Sequence, residues 1–225
     1  MTETEWQACA DLYDMRFFLH HKVSDRKWRL FACACFLRIA SWLRDQPIRD
    51  ALAVALQFAD GRAADQQRSD SRRRMQQAAQ TREVTRHPDA PKWQRRAASA
   101  VYYALARDAR DAACHTPPLV VQAMERRQHK FDIDLALEKD YQIRALRDIV
   151  GNPVAPSNVE AVWKTSTVKA VAEAIYADRA FDRLPILADA LEDAGCTDAA
   201  ILDHCRQPGE HVRGCWVVDL VLGKE

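Results

Sequence analysis

Between Ser24 and Leu43 the residues Trp28, Phe31, Cys35, Ile39 and Trp42 recur at intervals of three and four. That spacing puts them on one face of an α-helix. Leu30, Ala34 and Leu37 supply a second apolar side, so Asp25 to Leu43 reads as a helix buried over most of its circumference. The N-terminal half has to pack around it. Ser24 is placed to cap it. Cys33 and Cys35 form a C-x-C, but two positions on a helix diverge by about 200°, which favours core packing over a shared metal.

The same period recurs along the chain. Thr2-x-x-Glu5 is a capping box ahead of Trp6, and Leu12, Met15, Phe18 and Leu19 mark a second short helix ending at His20 and His21. Pro47 opens a helix to Asp60 with Gly61 as its stop. Pro91 and Trp93 start one to Cys114, closed by His115 to Pro118, and another follows from Leu119 to His129. Ile133, Leu137, Tyr141, Ala145 and Ile149 define a helix ending at Gly151. Beyond it, the segment Thr165 to Thr167 can cap a helix with Val168, Val171, Ile175 and Tyr176, and Asp182 begins one with Pro185 in its first turn. Thr197 is the expected cap for a helix with Ile201 and Leu202, and Trp216 to Leu222 is a short helix or a buried strand. The expectation is an all-α fold of about nine to eleven helices. It forms one domain over 1–225, or two, 1–150 and 159–225, around the proline-containing segment 152–158.

Charge separates along this chain. Lysine plus arginine is 33 against 32 acids, yet 62–96 holds ten basic residues against four acidic, and 171–225 holds five against eleven. The tract Arg62 to Arg86 has only Met75 and Val84 as large apolar residues, which predicts an exposed helix or loop. Arg72, Arg73 and Arg74 make nucleic-acid contact conceivable through phosphates, although aromatic residues for base stacking are absent there. No stretch reaches eighteen apolar residues, and no secretory leader opens the chain, so the expectation is a cytoplasmic protein with free thiols and no membrane span.

The densest chemistry lies near the end. Cys196, His204, Cys205, His211 and Cys215 are zinc-ligand residue types spaced C-x7-H-C-x5-H-x3-C, without the short knuckle of common zinc motifs. His204 and Cys205 diverge by about 100° on a helix and are not expected to share one ion. Three readings follow from these residues. The plainest is packed thiols in a core. The second is a zinc-stabilised helical domain, and the third a Cys–His nucleophile pairing Cys205 or Cys215 with His204 or His211, with Asp203 or Asp219 nearby to orient the imidazole. No phosphate-binding loop, dinucleotide fingerprint or His-Glu-x-x-His appears. The composite expectation is a helical interaction or regulatory module with a protein partner, no catalytic activity, and zinc as the alternative cofactor.

Several segments resemble a large paralogous family of uncharacterised proteins from planctomycete bacteria. They are Met1 to Cys9, Ser24 to Lys27 with Leu30 to Cys35, Phe58 to Gly61, Asp148 to Pro153, Phe181 to Pro185 with Ala188 to Cys196, His204 to Arg206, Gly209, and His211 to Gly223. They span both halves and skip the basic middle. The resemblance implies a bacterial cytoplasmic origin and carries no assigned activity, cofactor or partner.

Overall fold

The computed structural model describes residues 1–43, 46–80, 92–127 and 134–224. Among them are twelve α-helices, one more than the upper expectation, and no strand. They are α1 Glu3–Ala8, α2 Leu12–Leu19, α3 Asp25–Ala40, α4 Gln46–Ala59, α5 Asp65–Gln80, α6 Lys92–Ala104, α7 Ala109–Arg127, α8 Leu135–Val150, α9 Ser166–Asp178, α10 Leu184–Asp193, α11 Ala199–Arg206 and α12 Trp216–Leu222. The chain groups into two compact units. One joins Met1–Lys22 to Arg144–Glu225, and the other is Val23–Ile143.

In the Val23–Ile143 unit, α3 is the hub. Ten of its sixteen residues are buried, and it packs against α4, α6 and α7. The polar tract supplies α5 as far as Gln80, while Arg82, Val84, Arg86 and His87 to Pro91 lie outside the described residues. A helix with so little apolar surface needs another anchor, and Arg68 provides it. Its side chain is 4% exposed, pairs with Asp65 at 2.8 Å, and donates through Nη1 to the Leu105 carbonyl at 2.7 Å. Replacing a buried cation that hydrogen-bonds a buried carbonyl leaves that acceptor unsatisfied, so Arg68→Ala is expected to lower stability by about 2–3 kcal/mol in urea unfolding. A loss under about 0.5 kcal/mol would mean that α5 docks by other means.

The helix expected from Pro91 to Cys114 is divided. α6 stops at Ala104 and α7 begins at Ala109, because Asp108 caps the new helix by accepting from the Arg110 N–H at 2.7 Å. The carbonyls at the break find buried partners. Arg29 donates to those of Ala106 and Arg107 at 2.7 and 2.6 Å, and Arg68 takes that of Leu105. Conversely, His115 to Pro118 does not end a helix. α7 runs through Pro117 and Pro118, a placement that costs about 3 kcal/mol in isolation. Burial of Thr116, Pro117 and Val120 offsets it, as do bonds from Thr116 Oγ1 to the Ala100 carbonyl and from Gln142 Nε2 to the Pro117 carbonyl. On α8, Tyr141, Ala145 and Ile149 are buried as the period predicts, Leu137 is 62% exposed, and Ile133 lies outside the described residues.

In the other unit, α9, α10, α11 and α12 close around Val168, Ile175, Leu184, Leu187, Leu191 and Val217. The final apolar run is helical. Asp198, not Thr197, caps α11, its carboxylate accepting from the N–H groups of Ala200 and Ile201 at 2.9 and 3.3 Å. At the N-terminus the capping box is present in full, the Thr2 hydroxyl accepting from the Glu5 N–H while the Glu5 carboxylate accepts from that of Thr2. Helix α1 is held by α8. Trp6, fully buried, donates through Nε1 to the Gly151 carbonyl at 3.1 Å. The Arg147 guanidinium collects the carbonyls of Trp6, Gln7 and Cys9 at 2.7 to 2.9 Å, meeting the acceptors that a six-residue helix leaves open at its C-terminus.

A candidate metal centre

The C-terminal end of α8 presents Asp148 on the same side as Tyr141 and Ala145, an acid on a buried stripe. Helix α11 presents His204 from its last turn, the loop after it carries His211, and Cys215 is the residue on which α12 starts. These four side chains converge, with one donor atom from each lying within 4.8 Å of all the others.

Asp148 is the centre of the group. Its Oδ1 lies 2.6 Å from His211 Nδ1 and 3.2 Å from His204 Nε2, while Oδ2 accepts from the Val212 N–H at 2.8 Å. Burial opposes ionisation here, but hydrogen bonds from the two histidines outweigh it and hold the carboxyl below the ordinary aspartate range. His204 Nε2 is also 3.2 Å from Cys215 Sγ, and its Nδ1 is 3.0 Å from Gln207 Nε2. His211 Nε2 is buried without a hydrogen-bond partner.

The network has a local conflict. His204 Nε2 faces a carboxylate oxygen and a sulfur at the same distance, and one ring nitrogen carries either a single proton or a single lone pair. It satisfies one neighbour well and leaves the other. A cation among the four donors removes the conflict, since all four then act as electron-pair donors. Tetrahedral bonds of about 2.0–2.3 Å imply donor separations of roughly 3.3–3.8 Å. The 3.2 Å spacings already approach this, the 2.6 Å pair has to open, and the widest separations, up to 4.8 Å, have to close.

Of the five residues singled out by type, then, His204, His211 and Cys215 come together and Cys196 and Cys205 do not join them. Both thiols lie in the apolar core, 3% and 1% exposed. Burial pushes the Cys205 thiol up to about 12 and, first among the causes, raises those of Cys196 and Cys215 as well. Neither Cys205 nor Cys215 is poised as a thiolate nucleophile at neutral pH, because desolvation favours the neutral form. The fourth member, Asp148, is neither a cysteine nor a histidine and lies far from the others in sequence. Its signal was an acid beside Ala145 and Ile149 on the helix's buried side.

Behind the site stands Gly151 at φ +73°, where an added Cβ would meet Trp216 Cγ at 3.0 Å, and Trp216 in turn lies against the His204 ring at 5.0 Å. Gly151→Ala is expected to cost about 1–3 kcal/mol through backbone strain and the displaced indole. Thermal unfolding measures it, and a variant as stable as the parent would show that the Trp216 ring yields freely.

The basic triplet sits in the other unit. Arg72 lies over the Tyr102 ring at 4.4 Å, Arg73 pairs with Asp70 at 3.0 Å, and Arg74 is exposed. Successive positions on a helix turn by about 100°, so the three do not form one basic face. Among the described residues, no helix is long and apolar enough to cross a membrane. No family model, curated protein or solved structure matches this chain.

Proposed function

We propose that this chain is a helical module built around a zinc site, with Asp148, His204, His211 and Cys215 as the protein ligands. The observation that carries the reading is the convergence of four donors of suitable type within 4.8 Å of one another. Charge supports it as well. A carboxylate and a thiolate together balance a divalent cation, so the loaded centre is neutral, as a buried site requires. The mixed oxygen, nitrogen and sulfur set suits zinc better than magnesium or calcium, which take oxygen donors.

Gln207 then acts on the far side of the His204 ring. With the metal on Nε2, Nδ1 carries the proton and donates to the Gln207 side-chain oxygen, which requires the amide to turn over from the orientation that puts Nε2 toward the ring. Native mass spectrometry of the purified chain tests the site. The expected result is one zinc per chain, lost with a chelator and absent from a His204→Ala, Cys215→Ala double variant. A chain that stays metal-free after zinc is added would overturn the reading.

A role as a protein-interaction module is the second reading, favoured by Tyr13 and Phe17. They stand one turn apart on α2, 68% and 75% exposed, a pair of large apolar side chains left in water on one helix face. Its test is whether a protein captured by the intact chain is lost with the double change Tyr13→Ser and Phe17→Ser.

A further inference from the structure

We infer that a cavity in the Val23–Ile143 unit, lined by three arginines and three aspartates, binds a small phosphate monoester that carries an ammonium group. None of its residues belongs to the metal centre. The cavity measures about 440 Å³, within the size range of small-molecule pockets. Asp25 reaches it from the first turn of α3 and Arg72 from α5, while Arg107, Asp108, Arg110 and Asp111 come from the break before α7 and its first turn. Guanidinium groups so close to carboxylates are ordinarily consumed by them. Among the described residues, however, Arg72, Arg107 and Arg110 form no ion pair and no side-chain hydrogen bond. Other contacts hold them in place. The Arg72 guanidinium lies over the Tyr102 ring at 4.4 Å, and Arg29 pins the Arg107 backbone by donating to its carbonyl at 2.6 Å. The Arg110 backbone is fixed by the Asp108 cap at 2.7 Å. Cations positioned by the fold with their donors unspent form a preorganised receptor for an oxyanion.

The number and sign of these groups restrict what the ligand is. A carboxylate offers two oxygens, whereas a phosphate monoester offers three strong acceptors, one for each arginine. The carboxylates decide the rest of the molecule. Asp108 is spent on the Arg110 N–H. Asp25 and Asp111 are exposed, and neither carboxylate has a hydrogen-bond partner among the described residues. They repel a ligand that is anionic throughout and attract an ammonium group. The three positive and three negative side chains cancel, so a ligand bearing both signs suits the cavity better than a polyanion. A phosphorylated amino alcohol has the matching pattern.

The test is calorimetric titration of the full chain with O-phosphoethanolamine at low ionic strength. The expected dissociation constant is about 1 mM. Inorganic phosphate, which lacks the ammonium, and glycerophosphoethanolamine, a diester with one terminal oxygen fewer, are each expected to bind about ten-fold more weakly. R110Q should keep the parental unfolding temperature and lose about ten-fold in affinity for O-phosphoethanolamine. D111N should lose affinity for O-phosphoethanolamine but not for inorganic phosphate, because its carboxylate serves only the ammonium end. No binding at about 20 mM O-phosphoethanolamine overturns the inference. So does parental affinity in R110Q, which would place the ligand elsewhere. Inorganic phosphate binding as tightly as O-phosphoethanolamine overturns the ammonium assignment, and equal binding of the diester overturns the monoester.

Discussion

Chelating the metal is expected to lower the unfolding free energy of the unit comprising 1–22 and 144–225 by about 4 kcal/mol. That is what mass action gives when free zinc stands about a thousand-fold above its dissociation constant. The effect arises because only the folded chain assembles the site. Asp148 lies 63 positions before His211, and His204 lies 11 before Cys215, so an unfolded chain offers the donors separately. Complete unfolding, as in small zinc fingers, is not expected. This unit has its own apolar core, in which Val168, Ile175, Leu184, Leu187, Leu191 and Val217 do not depend on the metal. Urea unfolding of the zinc-loaded chain, with and without chelator, measures the difference, and the His204→Ala, Cys215→Ala variant should be indifferent to the chelator. A zinc-loaded parent equally indifferent to it would place the ion somewhere other than between these four side chains.

The second large effect is expected at Trp6. Its ring is fully buried, lies 6.2 Å from that of Phe18, and bonds the Gly151 carbonyl. Trp6→Ala removes the side chain that fixes α1 against the end of α8 and is expected to cost about 3–5 kcal/mol. Trp6→Phe restores much of the volume but not the N–H donor, and should cost nearer 1–2 kcal/mol. If the two variants are equally destabilised, the hydrogen bond to Gly151 matters more than the buried volume. If neither loses stability, α1 is not held as described. Because Gly151 and Asp148 share the same end of α8, Trp6→Ala should also weaken zinc binding, which a competition titration with a chromophoric chelator reads.

Where the sequence-level expectation departed from the structure, a distant partner overrode a local rule. Two consecutive prolines normally close a helix, and His115 to Pro118 carries that signal. Yet α7 continues through them, with Thr116, Pro117 and Val120 buried and Gln142 donating to the Pro117 carbonyl. The real break, at Leu105 to Asp108, carries neither glycine nor proline. It is made by Asp108 as a cap and by Arg29 and Arg68 from other helices. Similarly, the basic tract offers few apolar residues for a docked helix, and α5 docks by burying Arg68 together with Met75.

At the candidate site the local signal was partial in the same way. Of the histidine and cysteine types near the C-terminus, His204, His211 and Cys215 converge with Asp148. Spacing alone could not separate these from Cys196 and Cys205, which face the apolar core. What the sequence by itself determined is everything that depends on neighbours within a turn or two: the all-helical class, the burial of α3 on nearly every side, the capping box at Thr2 and the stop at Gly61. The tertiary structure alone decided that Asp148 meets two histidines and a thiol, because those groups arrive from α8, α11, a loop and the start of α12. Apolar periodicity specifies which face of a helix is buried. It does not specify which other face it meets, and a site of four donors exists only once that meeting is fixed.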